Sequence, residues 1–202
     1  MKKALSLTVL FLMLVSLAGC GAKNEPPAVQ SSSAGSPEDR IYVIDAEETY
    51  PAIPATLAVV YNSVKEIAFD ADVIVKVSVK EQSVELLDGY PQTHTTVEVL
   101  RVLKGDADEG NLLEVVEEGG YDGKVLCGIP QLSSEYHYYL MLTEYKGFYY
   151  ICGAFQGRFV EREGYIFQQA AEDVKLFHSY SPMTGDDFES LVTQALSDRP
   201  VV

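Results

Sequence analysis

The chain has 202 residues, with 15 Lys or Arg against 30 Asp or Glu, and a formal net charge of −15 at pH 7. So strong a negative field repels the phosphates of nucleic acid and the headgroups of anionic lipid, which argues against both as partners. The length suits one domain with a real core and leaves little for a second.

The first residues fall into three zones. Lys2 and Lys3 form a basic head, Ala4 to Val15 is apolar and uncharged, and Leu17-Ala18-Gly19-Cys20 closes the segment with small side chains. That order marks a secretory signal. The apolar stretch is also shorter than the ~20 residues a spanning helix needs. Its last four residues resemble the lipobox of bacterial lipoproteins, in which the Cys thiol receives a diacylglyceryl group and cleavage makes that Cys the new N-terminus. The resemblance implies a signal peptide over 1–19. It also implies an acyl anchor of the palmitate type on Cys20 and an extracytoplasmic location, lipid-anchored to a bacterial cell membrane. From Gly21 to Arg40 the chain is dense in Pro, Ser, Gly and Ala and has no aromatic residue. Such a stretch cannot bury enough apolar surface to offset its ordering entropy, so 20–40 reads as lipidated Cys and disordered linker. A coil of that length spans about 25 Å root-mean-square. Residues 41–202 then form a single domain.

Within the domain, Leu57, Val60, Tyr61, Val64, Ile67 and Ala68 recur at three and four, which predicts a helix between Pro54 and Asp70. From Ala71 the period becomes two, with Val73, Val75, Val77 and Val79 on one face of a strand. Asp88-Gly89 signals a turn before a second strand, Thr93 to Leu103. There the apolar parity slips between Val99 and Leu100, which predicts a bulge or a strong bend near that point. Further strands are expected at 112–116, 136–143, 148–152, 158–160 and 165–168, with Glu144-Tyr145-Lys146-Gly147 as a hairpin loop. Thr184 opens a final helix with Asp187 at the capping-box position, and Phe188, Leu191, Val192, Ala195 and Leu196 form its buried stripe. Helix, many short strands, helix: the class is β-dominated α+β, with an OB-like Greek-key barrel as the architecture.

Several fragments, in this order, resemble the OB-fold module of the netrin-like group, which includes the tissue inhibitors of metalloproteinases. They are Ala71-Asp72-Val73-Ile74-Val75, Glu98-Val99-Leu100-Arg101-Val102-Leu103-Lys104-Gly105, Leu126-Cys127-Gly128, Tyr138-Tyr139-Leu140 and Tyr149-Tyr150-Ile151-Cys152. The likeness is at the level of the fold and spans Ala71 to about Phe155. The family's zinc-chelating Cys-x-Cys edge has no counterpart here, so protease inhibition is not implied. The family does place the positions of Cys127 and Cys152 close together. With Cys20 lipidated they are also the even pair left in an oxidising compartment, which favours a Cys127–Cys152 disulfide. The alternative is two buried thiols acting as small hydrophobes.

Catalytic motifs are missing. The chain holds no Gly-x-Ser-x-Gly, no His-Glu-x-x-His and no phosphate-binding glycine loop. His94, His137 and His178 lack metal-ligand spacing. Asp106, Asp108 and Glu117 match three positions of a calcium-loop count, but the intervening positions fail and strands flank the segment. No metal and no cofactor is therefore expected. The densest unusual feature is aromatic, a crowd of Tyr around one hairpin beside Gly-rich loops. Tyr136, Tyr145, Tyr149, Tyr121 and Gln156 are the candidate ligand contacts, and core aromatics and tight glycine corners are the plainer reading. The sequence thus points to a non-catalytic, membrane-anchored binding module for an envelope protein or glycan. Its rival is an extracytoplasmic hydrolase whose site, built from carboxylates and Tyr, carries no motif.

Overall fold

The computed structural model describes residues 52–53, 58–120, 125–126, 128–177 and 183–198. The chain divides into two units, 1–41 and 42–202, and every described residue belongs to the second. Cys20 and the signal-like segment lie outside the described residues. In chain order the elements are β1 (Ala52–Ile53), α1 (Val64–Asp70), β2 (Val73–Leu87), β3 (Tyr90–Lys104), β4 (Leu112–Glu118) and β5 (Val125–Leu126). They continue with β6 (His137–Tyr145), β7 (Phe148–Ile151), β8 (Arg158–Arg162), β9 (Tyr165–Gln168), β10 (Met183–Thr184) and α2 (Gly185–Ser197).

The first helix is shorter than the apolar stripe predicts. Tyr61 is held out of it, because its N–H donates to Gln156 Oε1 at 2.9 Å while its carbonyl accepts from Gln156 Nε2 at 3.0 Å. Val60, expected on the buried stripe, is 50% exposed. The helix starts one turn later, where the Ser63 side chain accepts from Glu66 N–H as an N-cap.

Valine-rich β2 and β3 form a long antiparallel hairpin joined by Asp88-Gly89. Both turn residues have positive φ, 51° and 83°, the geometry of a two-residue turn that matches strand twist. The expected bulge is present. Lys76 pairs with Arg101 and Val77 with Val99, which leaves Leu100 without a partner, and a further irregularity falls at Lys80. These bulges bend the hairpin enough for β2 to pair with β3 along one edge and with β6 along the other. β4 follows β3 antiparallel, β7 lies parallel to β4, and β6 pairs with β7. The pairings close a ring of five strands in the order β2-β3-β4-β7-β6. The loop between β6 and β7 is tighter than expected, just Lys146-Gly147. Beyond the ring, β8, β9 and β10 extend the sheet to eight strands.

Alternation along these strands produces two cores. Val75, Val77, Val97, Val99, Val115, Leu140 and Leu142 fill the inside of the ring. On the outside, Ile74, Tyr139, Met141 and Phe159 receive Ile67 and Ala68 of α1 and Phe188 and Val192 of α2. α2 carries its expected capping box, with Thr184 and Asp187 bonding each other's backbone N–H. The class is therefore β-dominated, with one helix before the ring strands and one at the C-terminal end of the described residues.

Candidate binding surface

One side of the ring is formed by the outward residues of β3, β4 and β7. The register places His94 beside Val116 and Thr96 beside Glu114, and Val116 in turn pairs with Tyr150. His94 is the centre of this face. Its Nδ1 lies 2.6 Å from Glu114 Oε1, and its ring meets the edge of Phe148 with centroids 5.7 Å apart. Around it stand Glu98, Glu118 and Leu112, and Leu112 is 64% exposed. Next to Val116 and Tyr150 the face deepens into a cleft of about 310 Å³, lined also by Ala58, Val59, Gly153 and Ala154. The result is an apolar and aromatic strip set in acidic surroundings.

Glu117 reaches the cleft wall but belongs to the ring interior. It shares the inward parity of Leu113 and Val115, and its Oε1 accepts from Arg158 Nη1 at 2.7 Å. Oε2 accepts from Leu132 N–H at 3.1 Å. Arg158 is 1% exposed, so the pair is buried, and Arg158 Nε has no hydrogen-bond partner among the described residues. Burial pushes the Glu117 carboxyl up, and the guanidinium pulls it back. Leu132 enters the ring core beside this pair. Its carbonyl accepts from Gln82 Nε2, and the next residue, Ser133, donates its N–H to Tyr138 Oη.

A second depression, about 480 Å³, lies between the sheet and the start of α2. Lys76 pairs with Glu161 at 2.7 Å and Arg101 with Glu189 at 2.9 Å. Tyr139 donates its hydroxyl to the same Glu189 at 2.9 Å, and burial first, then that bond, push its phenol up. The opposite charges here satisfy one another. The cluster is a polar latch that ties α2 to β3 and β6.

The candidate contacts read from the sequence are scattered. Tyr145 is exposed, with Lys146 Nζ 4.9 Å from its ring centroid. Tyr149 turns inward against the ring core, and Tyr136 also packs there beneath the Arg162 guanidinium, 4.6 Å from its ring. Gln156 is a correction. It is fully buried, and its amide is committed to Tyr61 and to the Val174 carbonyl, so it is a structural brace with no surface to offer a ligand. Tyr121 and His178 lie outside the described residues. Cys152 is a buried free thiol packed near α1, with Sγ 3.4 Å from Thr143 Oγ1, and burial pushes its pKa up. Its expected partner Cys127 lies outside the described residues. The calcium-loop count dissolves, because Glu117 points into the ring. Among the described residues no group of three or more His, Cys, Asp or Glu is placed to hold a metal ion. None of their helices is long and apolar enough to cross a membrane.

His94 and Phe148, the pair at the centre of the outer face, were not singled out as contacts by sequence reasoning. Glu117 did carry a signal, an acid standing in a row of inward positions. Compared with known protein families, with curated proteins and with solved structures, the chain finds no match in any of the three.

Proposed function

We propose that this chain is an extracytoplasmic lipoprotein, held to a bacterial membrane through Cys20, whose ring is an OB-like Greek-key barrel acting as a non-catalytic binding module. The strand order supports the barrel reading: the first strand is antiparallel to both its neighbours, and the third and fifth strands pair in parallel. In barrels of this type the ligand lies across the second and third strands, which are β3 and β4 here. The observation that carries the function is the strip of Phe148, His94 and Tyr150 on that face, with buried Val116 beneath it, continuous with the cleft. Aromatic anchors beside a cleft are how recognition surfaces concentrate their affinity. The ligand is an envelope protein or glycan, because the chain's charge disfavours nucleic acid.

A photo-crosslinking residue at Leu112, compared on intact cells with one at Ser190 on α2, tests this. An adduct of one discrete mass from Leu112 alone is expected. Equal labelling from both positions, or none, refutes the face. Cys20→Ala should abolish fatty-acid labelling of the protein, and label that persists removes the anchor from the proposal.

A hydrolase reading has one observation behind it, the carboxyl of Glu117 at the cleft wall, raised by burial. Both of its oxygens, however, are engaged by Arg158 and the Leu132 N–H, which suits a structural acid better than a proton donor to substrate.

A further inference from the structure

β6 accompanies β2 only from Val73 to Ser78. From Val79 to Leu87, more than half of this strand of 15 residues, the outer edge has no strand beside it among the described residues. Every second residue of such an edge turns its N–H and C=O outward, which is a template for another strand. Natural edges this long are usually blunted by Pro, by free Lys or by a covering loop. This stretch has no Pro, its Lys80 is tied to Glu98, and the loop before β6 meets it through the Gln82 side chain, whose Nε2 donates to the Leu132 carbonyl at 2.6 Å. The hairpin tip is also apolar and bare, with Val84 44%, Leu86 59%, Leu87 58% and Tyr90 74% exposed. Beyond the reach of β4, which pairs with β3 only from Gln92 onward, the tip from Leu86 to Pro91 is two-stranded, and a strand added to β2 would supply it with a third.

The charges along the edge select the occupant. Glu81, Glu85 and Asp88 are exposed and form no ion pair with another described residue. A second copy of the chain would set these acids against their own equivalents, and an acidic strand would be repelled in the same way. We infer that the free edge of β2 takes up an extended, basic segment of another protein by strand addition, with main-chain bonds supplying affinity and lysine or arginine side chains facing Glu81 and Glu85. This site is separate from the outer face of β3, β4 and β7, so either assignment can fail without the other.

Hydrogen exchange on the full-length protein in detergent tests it. The probe is a short blocked peptide of alternating lysine and valine, with its glutamate–valine counterpart as control. The lysine peptide should protect amides between Glu81 and Leu87, and the glutamate peptide should not. The double variant Glu81→Lys, Glu85→Lys should weaken the lysine peptide by at least about tenfold while the rest of the protection map is unchanged. Several results would overturn the inference: equal protection by both peptides, no protection by either, protection confined to β4 and β7, or protection without peptide accompanied by dimers in sedimentation. The two-peptide comparison on the unaltered protein keeps the test decisive if the double variant does not fold.

Discussion

The Gln156 side chain bonds Tyr61 as a neighbouring strand would, giving and taking one main-chain bond each. A polar residue singled out for recognition therefore serves to fix where α1 begins. Cys152 illustrates the same inward use of a reactive group. Its thiol belongs to the outer core that also holds Val64, Ile67 and Ala68, and desolvation holds its pKa up. Thiolate is the reacting species, so native protein near pH 8 should resist iodoacetamide at Cys152 and react once unfolded in urea. Rapid alkylation of folded protein would contradict this placement. The buried pair Glu117–Arg158 allows a sharper measurement. Removing one partner leaves a lone charge in the ring, so Glu117→Leu or Arg158→Met should each cost about 3–5 kcal/mol in urea denaturation. The double variant should cost less than either single one, because the desolvation of both charges disappears with them. Simple additivity would show that the pair is not coupled.

At the level of elements, the Lys104-Gly105 step at the end of β3 explains how the ring and α1 are joined. Lys104 Nζ donates to the carbonyls of Ala68, Phe69 and Ala71, closing the exposed end of α1. Gly105 has φ 96°, and a Cβ there would collide with the carbonyl oxygen of Asp72. Lys104→Met should therefore lower stability by about 2 kcal/mol, and Gly105→Ala by at least about 2 kcal/mol. A thermal midpoint unchanged in both variants would mean that the step is only a connector. Most elements were legible because each is written locally. The valine alternation marks β2, the parity slip at Leu100 marks the bulge of β3, and Thr184 with Asp187 announces α2. The first helix was overextended because its stripe of Leu57, Val60 and Tyr61 is periodic, while the bonds that pull Tyr61 away come from Gln156, far along the chain. The candidate surface was hidden for the same reason. His94 meets Phe148 only because β4 and β7 lie side by side in parallel, and no local pattern encodes that closure.

For the whole molecule the dominant quantity is charge. The chain carries twice as many acidic as basic residues, and several of the bases are already spent locally: Lys76 on Glu161, Lys80 on Glu98, Arg101 on Glu189 and Arg158 on Glu117. What remains is a surplus of carboxylates, part of it gathered along β2 and on the outer face at Glu81, Glu85, Glu114 and Glu118. Folding brings these like charges closer than they stand in the unfolded chain, so their repulsion weighs against the native state. Added salt acts in two opposing ways. It weakens the exposed ion pairs, each worth at most about 1 kcal/mol, and it screens the repulsion, which acts at longer range and sums over the whole surplus. At a net charge of −15 the second effect should dominate. The thermal midpoint should therefore rise as sodium chloride is raised from about 0.01 M, where the screening length is about 30 Å, to about 0.15 M, where it is about 8 Å. The rise should be smaller in the Glu81→Lys, Glu85→Lys variant, whose surplus is reduced on the arm. A midpoint that falls with salt would mean that the ion pairs, and not the surplus, govern the electrostatics of this fold.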